Sequence, residues 1–156
     1  MKKCILFALC AIISMGVYAQ AGKKAIGLYA SYGTEIKNIG IGAKGQYNFT
    51  DAFRGEASFD YFLKKDHISM WDVNLNVHYL FPVGDSFRVY PLAGLSYTRW
   101  KIDIVESAST GKFGANLGGG IELDLSSHLV LNAEAKYQLI SDFDQAVFSV
   151  GFAYKF

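Results

Sequence analysis

The sequence predicts an all-β chain: eight antiparallel strands closed as an up-and-down barrel behind an N-terminal export segment. Three observations lead there. Apolar and polar residues alternate with period two from about residue 25 to the end, the signature of half-buried strands. The connections between these segments alternate between tight turns and mostly longer, more charged stretches. The composition is rich in Tyr, Phe and Gly and holds only 2 prolines in 156 residues, which suits β-structure.

The export segment comes first. Lys2 and Lys3 form a short basic region, and Cys4 through Val17 is apolar apart from Ser14 and Gly16. Val17-Tyr18-Ala19 supplies the small-x-small ending of a secretory signal peptide, so residues 1–19 are expected to be removed between Ala19 and Gln20. The run is too short for a spanning helix, which needs roughly 20 apolar residues. Cys10 follows the large Leu9, where lipoprotein processing wants a small residue. Cys4 and Cys10 leave with the segment, so neither a disulfide nor a thiolate site is expected in residues 20–156. That remainder reads as one domain. Its charge is nearly balanced and its only basic runs are Lys23-Lys24 and Lys64-Lys65, which argues against a nucleic-acid partner.

The alternation places strands at 25–33, 39–49, 53–63, 70–81, 87–100, 112–124, 129–140 and 146–156. In the fourth, Trp71, Val73, Leu75, Val77, Tyr79 and Phe81 alternate with Asp72, Asn74, Asn76 and His78. In the seventh, Leu129, Leu131, Ala133, Ala135, Tyr137 and Leu139 alternate with Asn132, Glu134, Lys136 and Gln138. A helix would scatter these residues around its circumference. Thr50-Asp51-Ala52, residues 82–86 and residues 125–128 read as tight turns; 34–38, 64–69, 101–111 and 141–145 read as the other set, with 101–111 a long loop. Segments of this length, tilted near 45°, match the roughly ten residues that cross a hydrocarbon layer as a strand. An even strand count with both chain ends beside the tight turns is the up-and-down transmembrane arrangement.

Alternation alone leaves open which face is inside. A soluble lipocalin-like carrier in the periplasm would carry its apolar face inward, and is the second alternative. The polar face, however, holds near-balanced charges: Lys44, Arg54, Glu56, Asp60, Asp72, Arg88, Glu122, Asp124, Glu134 and Lys136, with Lys155 and His78. A closed interior requires such balance, because an unpaired buried charge costs several kcal/mol. Aromatics on the apolar phase cluster near strand ends (Tyr47, Phe49, Phe53, Phe59, Tyr61, Trp71, Tyr79, Phe81, Tyr137, Tyr154), as two interfacial belts would. Gly27, Gly40, Gly42, Gly114, Gly118 and Gly120 fall on the polar phase and relieve crowding in a narrow barrel. Eight strands leave an interior that side chains fill. A plugged barrel is therefore expected, with a narrow porin-like channel for small solutes as the alternative.

The chain resembles the small outer-membrane β-barrel family that includes OmpX and the OmpA transmembrane domain. The resemblance covers residues 25–156 and rests on strand count, the alternation of connections, the stretch Tyr90-Pro91-Leu92-Ala93-Gly94-Leu95-Ser96-Tyr97 and the Phe156 at the end of the last strand. It implies residence in the bacterial outer membrane, contact with outer-membrane lipid, and recognition of Tyr154 and Phe156 as a sorting signal by the outer-membrane assembly machinery. It implies little about activity, because fold does not fix function.

Motifs with chemistry in them are weak. Gly40-Ile41-Gly42-Ala43-Lys44-Gly45 matches a dinucleotide fingerprint but sits in a period-two strand with no helix after it. Lipid A deacylases of similar architecture carry His-x-Ser-Asn; His67-Ile68-Ser69 is followed by Met70 and reads as loop. Lipid A palmitoyltransferases use His, Asp and Ser at the outer side, whereas Asp85-Ser86 reads as an inner turn. His67, His78 and His128 fall at three heights, so no metal site is expected. Glu122 and Asp124 share the interior face and are expected to pair with Arg54 and Lys136. Toward the end of the fifth segment the apolar phase is odd-numbered up to Leu95 and Tyr97, then becomes Trp100, Ile102 and Ile104, a phase slip near Thr98 read as a bulge or as exit from the membrane. An aromatic anchor followed by a flexible loop is the expectation there. The other reading is a strand running beyond the bilayer, able to pair with a surface protein through 101–111. No catalytic residue, cofactor or metal is expected, and a structural or surface-interaction role is.

Overall fold

The computed structural model describes residues 22–65, 67–104 and 106–156. The expected export segment, with its Ala19–Gln20 junction, lies outside them. The strands are β1 (Lys24–Gly33), β2 (Asn38–Asn48), β3 (Phe53–Lys65), β4 (Ile68–Tyr79), the two-residue β5 (Phe81–Pro82), β6 (Phe87–Ile104), β7 (Glu106–Asp124), β8 (Leu129–Ile140) and β9 (Gln145–Lys155). Each of the eight long strands pairs antiparallel with both sequence neighbours, β5 being only a stub beside the start of β6. The ladder between β1 and β9, from Ala25 opposite Lys155 to Gly33 opposite Val147, closes the cylinder. Closure pairs the backbone polar groups of the strands around the barrel wall, which a chain crossing hydrocarbon must achieve internally.

The period-two pattern resolves into two faces. Leu28, Leu75, Leu95 and Phe113 point outward and are 71 %, 61 %, 66 % and 79 % exposed, whereas Lys44, Arg54, Glu56, Asp60, Asp72, Glu122 and Lys136 are buried. A water-soluble carrier would reverse this assignment, so the lipocalin-like alternative is wrong. The aromatics form rows on the outer face. Phe59, Trp71, Tyr97 and Phe113 run side by side toward one end, with neighbouring ring centroids 6.0, 6.0 and 4.9 Å apart. Phe53, Tyr79 and Phe81 do the same at the other, with centroids 5.0 and 4.5 Å apart.

Close strand approach is bought locally by glycine. Gly94 on β6 faces Asn76 on β4. A Cβ at Gly94 would lie 2.7 Å from the Asn76 Cα and nearer still to the Leu75 carbonyl oxygen, both immovable backbone. Gly94→Val is expected to destabilise by about 1–3 kcal/mol through overpacking. The neighbouring outward change Ala93→Val should be nearly silent, and a urea midpoint for folding in lipid vesicles would separate the two.

Two expectations are corrected. Strands β3 and β4 run closer together than 64–69 as a loop allows, the ladder extending to Lys65 opposite Ile68 after an irregularity past Phe62. The expected flexible loop 101–111 is a paired hairpin: Lys101 faces Ser109, Ile102 faces Ala108, and the ladder continues to Ile104 opposite Glu106. The phase slip near Thr98 has no counterpart in the backbone either. β6 stays in register with β4 from Leu92 opposite His78 to Ile102 opposite Ile68. Thr98 and Trp100 keep pointing inward, and what changes is the interior, which turns apolar at that end.

Candidate functional site in the barrel interior and outer hairpin

The interior is layered. Beside the tight turns, Arg54 Nη1 donates to Glu122 Oε2 at 2.7 Å and Arg88 Nε to Glu122 Oε1 at 2.5 Å. Arg88 Nη2 reaches Asp124 at 2.7 Å, and Lys155 Nζ reaches the same carboxylate at 2.5 Å. Glu122 and Asp124 point the same way because they are two residues apart on β7. A cavity of about 20 Å³ beside Gln46, Asn48, Arg54 and Glu122 has room for about one water.

One layer further in, Lys44 Nζ lies 3.4 Å from Glu56, and Gln46 donates to Glu56 at 2.7 Å. Tyr90 donates its hydroxyl to Glu134 at 3.0 Å, and its ring is stacked on His78 at 4.6 Å and lies under the Arg54 guanidinium at 5.0 Å. Above this, Asp60 accepts from Tyr29 at 2.9 Å and Ser31 at 3.1 Å, with Lys136 Nζ at 3.5 Å. Lys136 therefore meets Asp60, not Glu122 or Asp124 as expected. The register is the reason: Lys136 faces Gly118, four residues along β7 from Glu122. Asp72, opposite Asp60 on β4, accepts from Asn74 at 2.6 Å and Gln138 at 3.4 Å. Asn116 bridges Asn74 and Asn76 at 2.9 Å each.

The far end is closed by an apolar lid. Phe62, Met70 and Val147 are buried there, with Ile36, Trp100 and Phe143 packed against them and the Trp100 and Phe143 rings 5.0 Å apart edge to face. Sequence reading missed the lid because these residues break the polar phase. It also passed over Tyr29 and Tyr90 as interior groups, although each stands two residues after a position it had placed inside, Gly27 and Arg88.

The interior also gathers a trio that the spacing of the histidines concealed. Single ligand atoms of Glu56, His78 and Glu134 lie within 4.8 Å of one another. Arg54 Nε and Nη2 sit 3.3 and 3.0 Å from His78 Nδ1. Arginine only donates, so Nδ1 must accept, and the imidazole proton is assigned to Nε2. An Nε2 that carries a proton has no lone pair for a metal. It points toward Glu56 Oε1 at 3.8 Å, too far for a direct hydrogen bond. The enzyme motifs gain nothing: His67 occupies a turn with φ of 65° and Met70 points into the lid, so no amide stands where a deacylase needs one.

At the lid end the β6–β7 hairpin projects beyond its neighbours. β8 leaves β7 at Gly114, so residues 106–113 present an edge that pairs only with β6 among the described residues. Lys112 Nζ ties its base to Ser141 O and Asp142 Oδ2 at 2.9 and 2.8 Å, which holds the Asp142 carboxyl below the usual carboxylate range.

A closed cylinder with an apolar outer surface, aromatic rows at two heights and a self-neutralising interior defines an outer-membrane-type transmembrane β-barrel. The profile of the outer membrane protein beta-barrel domain family matches residues 5–156, and the chain belongs to that family and to the bacterial outer membrane. Solved structures agree on the fold. The N-terminal barrel of Pseudomonas aeruginosa OprF superposes with a TM-score of 0.76 at 18 % identity, covering 87 % of this chain and 98 % of that one. Ail, the attachment invasion locus protein of Yersinia pestis, gives 0.66 at 20 % identity, covering 87 % and 99 %. Neisserial surface protein A gives 0.66 at 13 % identity, covering 86 % and 96 %. No curated protein matches the chain. In such barrels the short turns and chain ends lie on the periplasmic side, which puts the lid and the long hairpin outside.

Proposed function

We propose that this protein is a structural and surface-interaction barrel of the outer membrane, without catalysis and closed to solutes. The observation that carries the reading is the hairpin, whose β7 edge rises from the outer aromatic row at Phe113 to Glu106 and, among the described residues, meets β6 on one side only. An exposed edge can accept an extended segment of a surface protein by backbone pairing. The interior supports closure, because its charged side chains find ion-pair or hydrogen-bond partners within the barrel and an apolar lid covers the outer end. The wide grooves of the molecule, such as that over Leu28, Ala43, Phe59 and Phe152, lie on the apolar exterior and offer no solute a path. Assembly is proposed to read Tyr154 and Phe156, and export to remove residues 1–19.

Replacing 101–111 by a short turn is expected to abolish adhesion of cells that display the protein while heat-modifiability on gels, the mark of a folded barrel, persists. Unchanged adhesion would remove the surface role. Purified protein in planar bilayers is expected to be electrically silent; steady, reproducible conductance would favour the narrow channel instead.

A further inference from the structure

The lipid-facing side of β6 departs from the rest of the apolar exterior at one place. Arg99 and Lys101 are both exposed and share the outward phase, roughly 6.6 Å apart along the strand. Arg99 faces Trp71 on β4 and Gly111 on β7; Lys101, one row farther out, faces Ser69 and Ser109. Arg99 Nη2 lies 3.0 Å from the Ser109 hydroxyl. Directly below, Tyr97 lies between Trp71 and Phe113 in the outer aromatic row, tilted against both rings. The Tyr97 ring leans over Gly111, where a Cβ would come within 2.8 Å of Cζ, so the tyrosine hydroxyl rises to the level of Arg99. An acid, Asp103, follows one row beyond Lys101, opposite Ser107.

We propose that Arg99 and Lys101, with the hydroxyls of Ser109 and Tyr97, form a docking site for the phosphate of an outer-leaflet lipid. The aromatic row fixes the depth: tyrosine and tryptophan settle where hydrocarbon gives way to headgroups, so cations beside and just above that row stand at phosphate height. Arginine presents a planar fork that matches phosphate oxygens, and lysine adds a point charge. Two cations turned toward lipid at this height, beside hydroxyl donors, match an anionic headgroup, while Lys101 also keeps an interaction within the protein. Ser109 belongs to the hairpin, but lipid association at Arg99 and Lys101 is measured with no protein on its edge.

The test uses Trp71 as the reporter, in full-length barrel carrying Trp100→Phe so that a single tryptophan emits. The protein is reconstituted in phosphatidylcholine vesicles doped with dibrominated phosphatidic acid or, in parallel, dibrominated phosphatidylcholine, and quenching gives the relative association of the two lipids. A preference for phosphatidic acid of about fivefold or more is expected, since each cation at an anionic surface contributes on that order. Arg99→Gln with Lys101→Gln should bring the ratio close to one, and the charge-preserving swap Arg99→Lys with Lys101→Arg should keep most of it. Absence of preference in the parent, or a preference untouched by the double glutamine variant, would overturn the proposal. So would displacement by inorganic phosphate at matched ionic strength, which would assign the site to the free anion rather than to lipid.

Discussion

Glu122→Leu is expected to be the most damaging single change to the barrel interior, at about 3–5 kcal/mol, because removing one partner of a buried ion pair strands the other. Here two guanidinia lose the carboxylate at once. Arg54 and Arg88 both donate to this carboxylate, at 2.7 and 2.5 Å, and all three side chains are buried. Arg88 keeps Asp124 at 2.7 Å, whereas Arg54 keeps no direct carboxylate contact among the described residues and is left with His78 Nδ1 and the face of Tyr90. The converse change, Arg54→Leu, should cost less, since Glu122 then remains satisfied by Arg88. The double variant Arg54→Leu/Glu122→Leu should recover part of the loss, because the stranded guanidinium is gone. Urea titrations of folding in lipid vesicles, followed by the shift from heat-modifiable to unfolded mobility, would give the ranking. If Arg54→Leu proved as costly as Glu122→Leu, the carboxylate would not be the shared hub of that layer.

The legibility of this arrangement from sequence has a physical limit. Period two reveals which side chains share a face, so the strands, the charged interior row and the outward leucines could be read directly. Height along the barrel depends on stagger between strands, which alternation does not encode. Charge alone accordingly pairs Lys136 with Glu122 and Asp124, whereas the register sets it beside Asp60. The same gap hid the approach of His78 to Glu56 and Glu134 from three different strands. The lid was lost for another reason. Phe62, Met70 and Trp100 are apolar on the polar phase, and a reader who equates apolar with outward takes them for a bulge or a loop. Once the lid is recognised, Thr98–Trp100 and the hairpin above it form one uninterrupted strand.

The orientation of the two faces carries a second large effect. Leu75→Arg is expected to cost about 2–4 kcal/mol, the penalty for a cation on the lipid side at the bilayer midplane of a transmembrane barrel. Leu75 stands on β4 midway between Trp71 and Tyr79, four residues from each aromatic row, and is 61 % exposed on the outer surface. Tyr79→Arg, on the same face but at the inner row, should cost only about 0–1 kcal/mol, because depth sets the penalty. Asn76→Leu, one residue from Leu75 but pointing inward, should be unfavourable for the opposite reason. It removes the acceptor that Asn116 reaches at 2.9 Å and puts a branched chain against Gly94. Equilibrium folding into vesicles measures all three. A leucine exposed to water would accept the same substitution at almost no cost, so the size of the penalty at Leu75 measures the membrane contribution. Equal costs at Leu75 and Tyr79 would mean that the outer face does not traverse hydrocarbon, and the assignment of the two faces would fail with it.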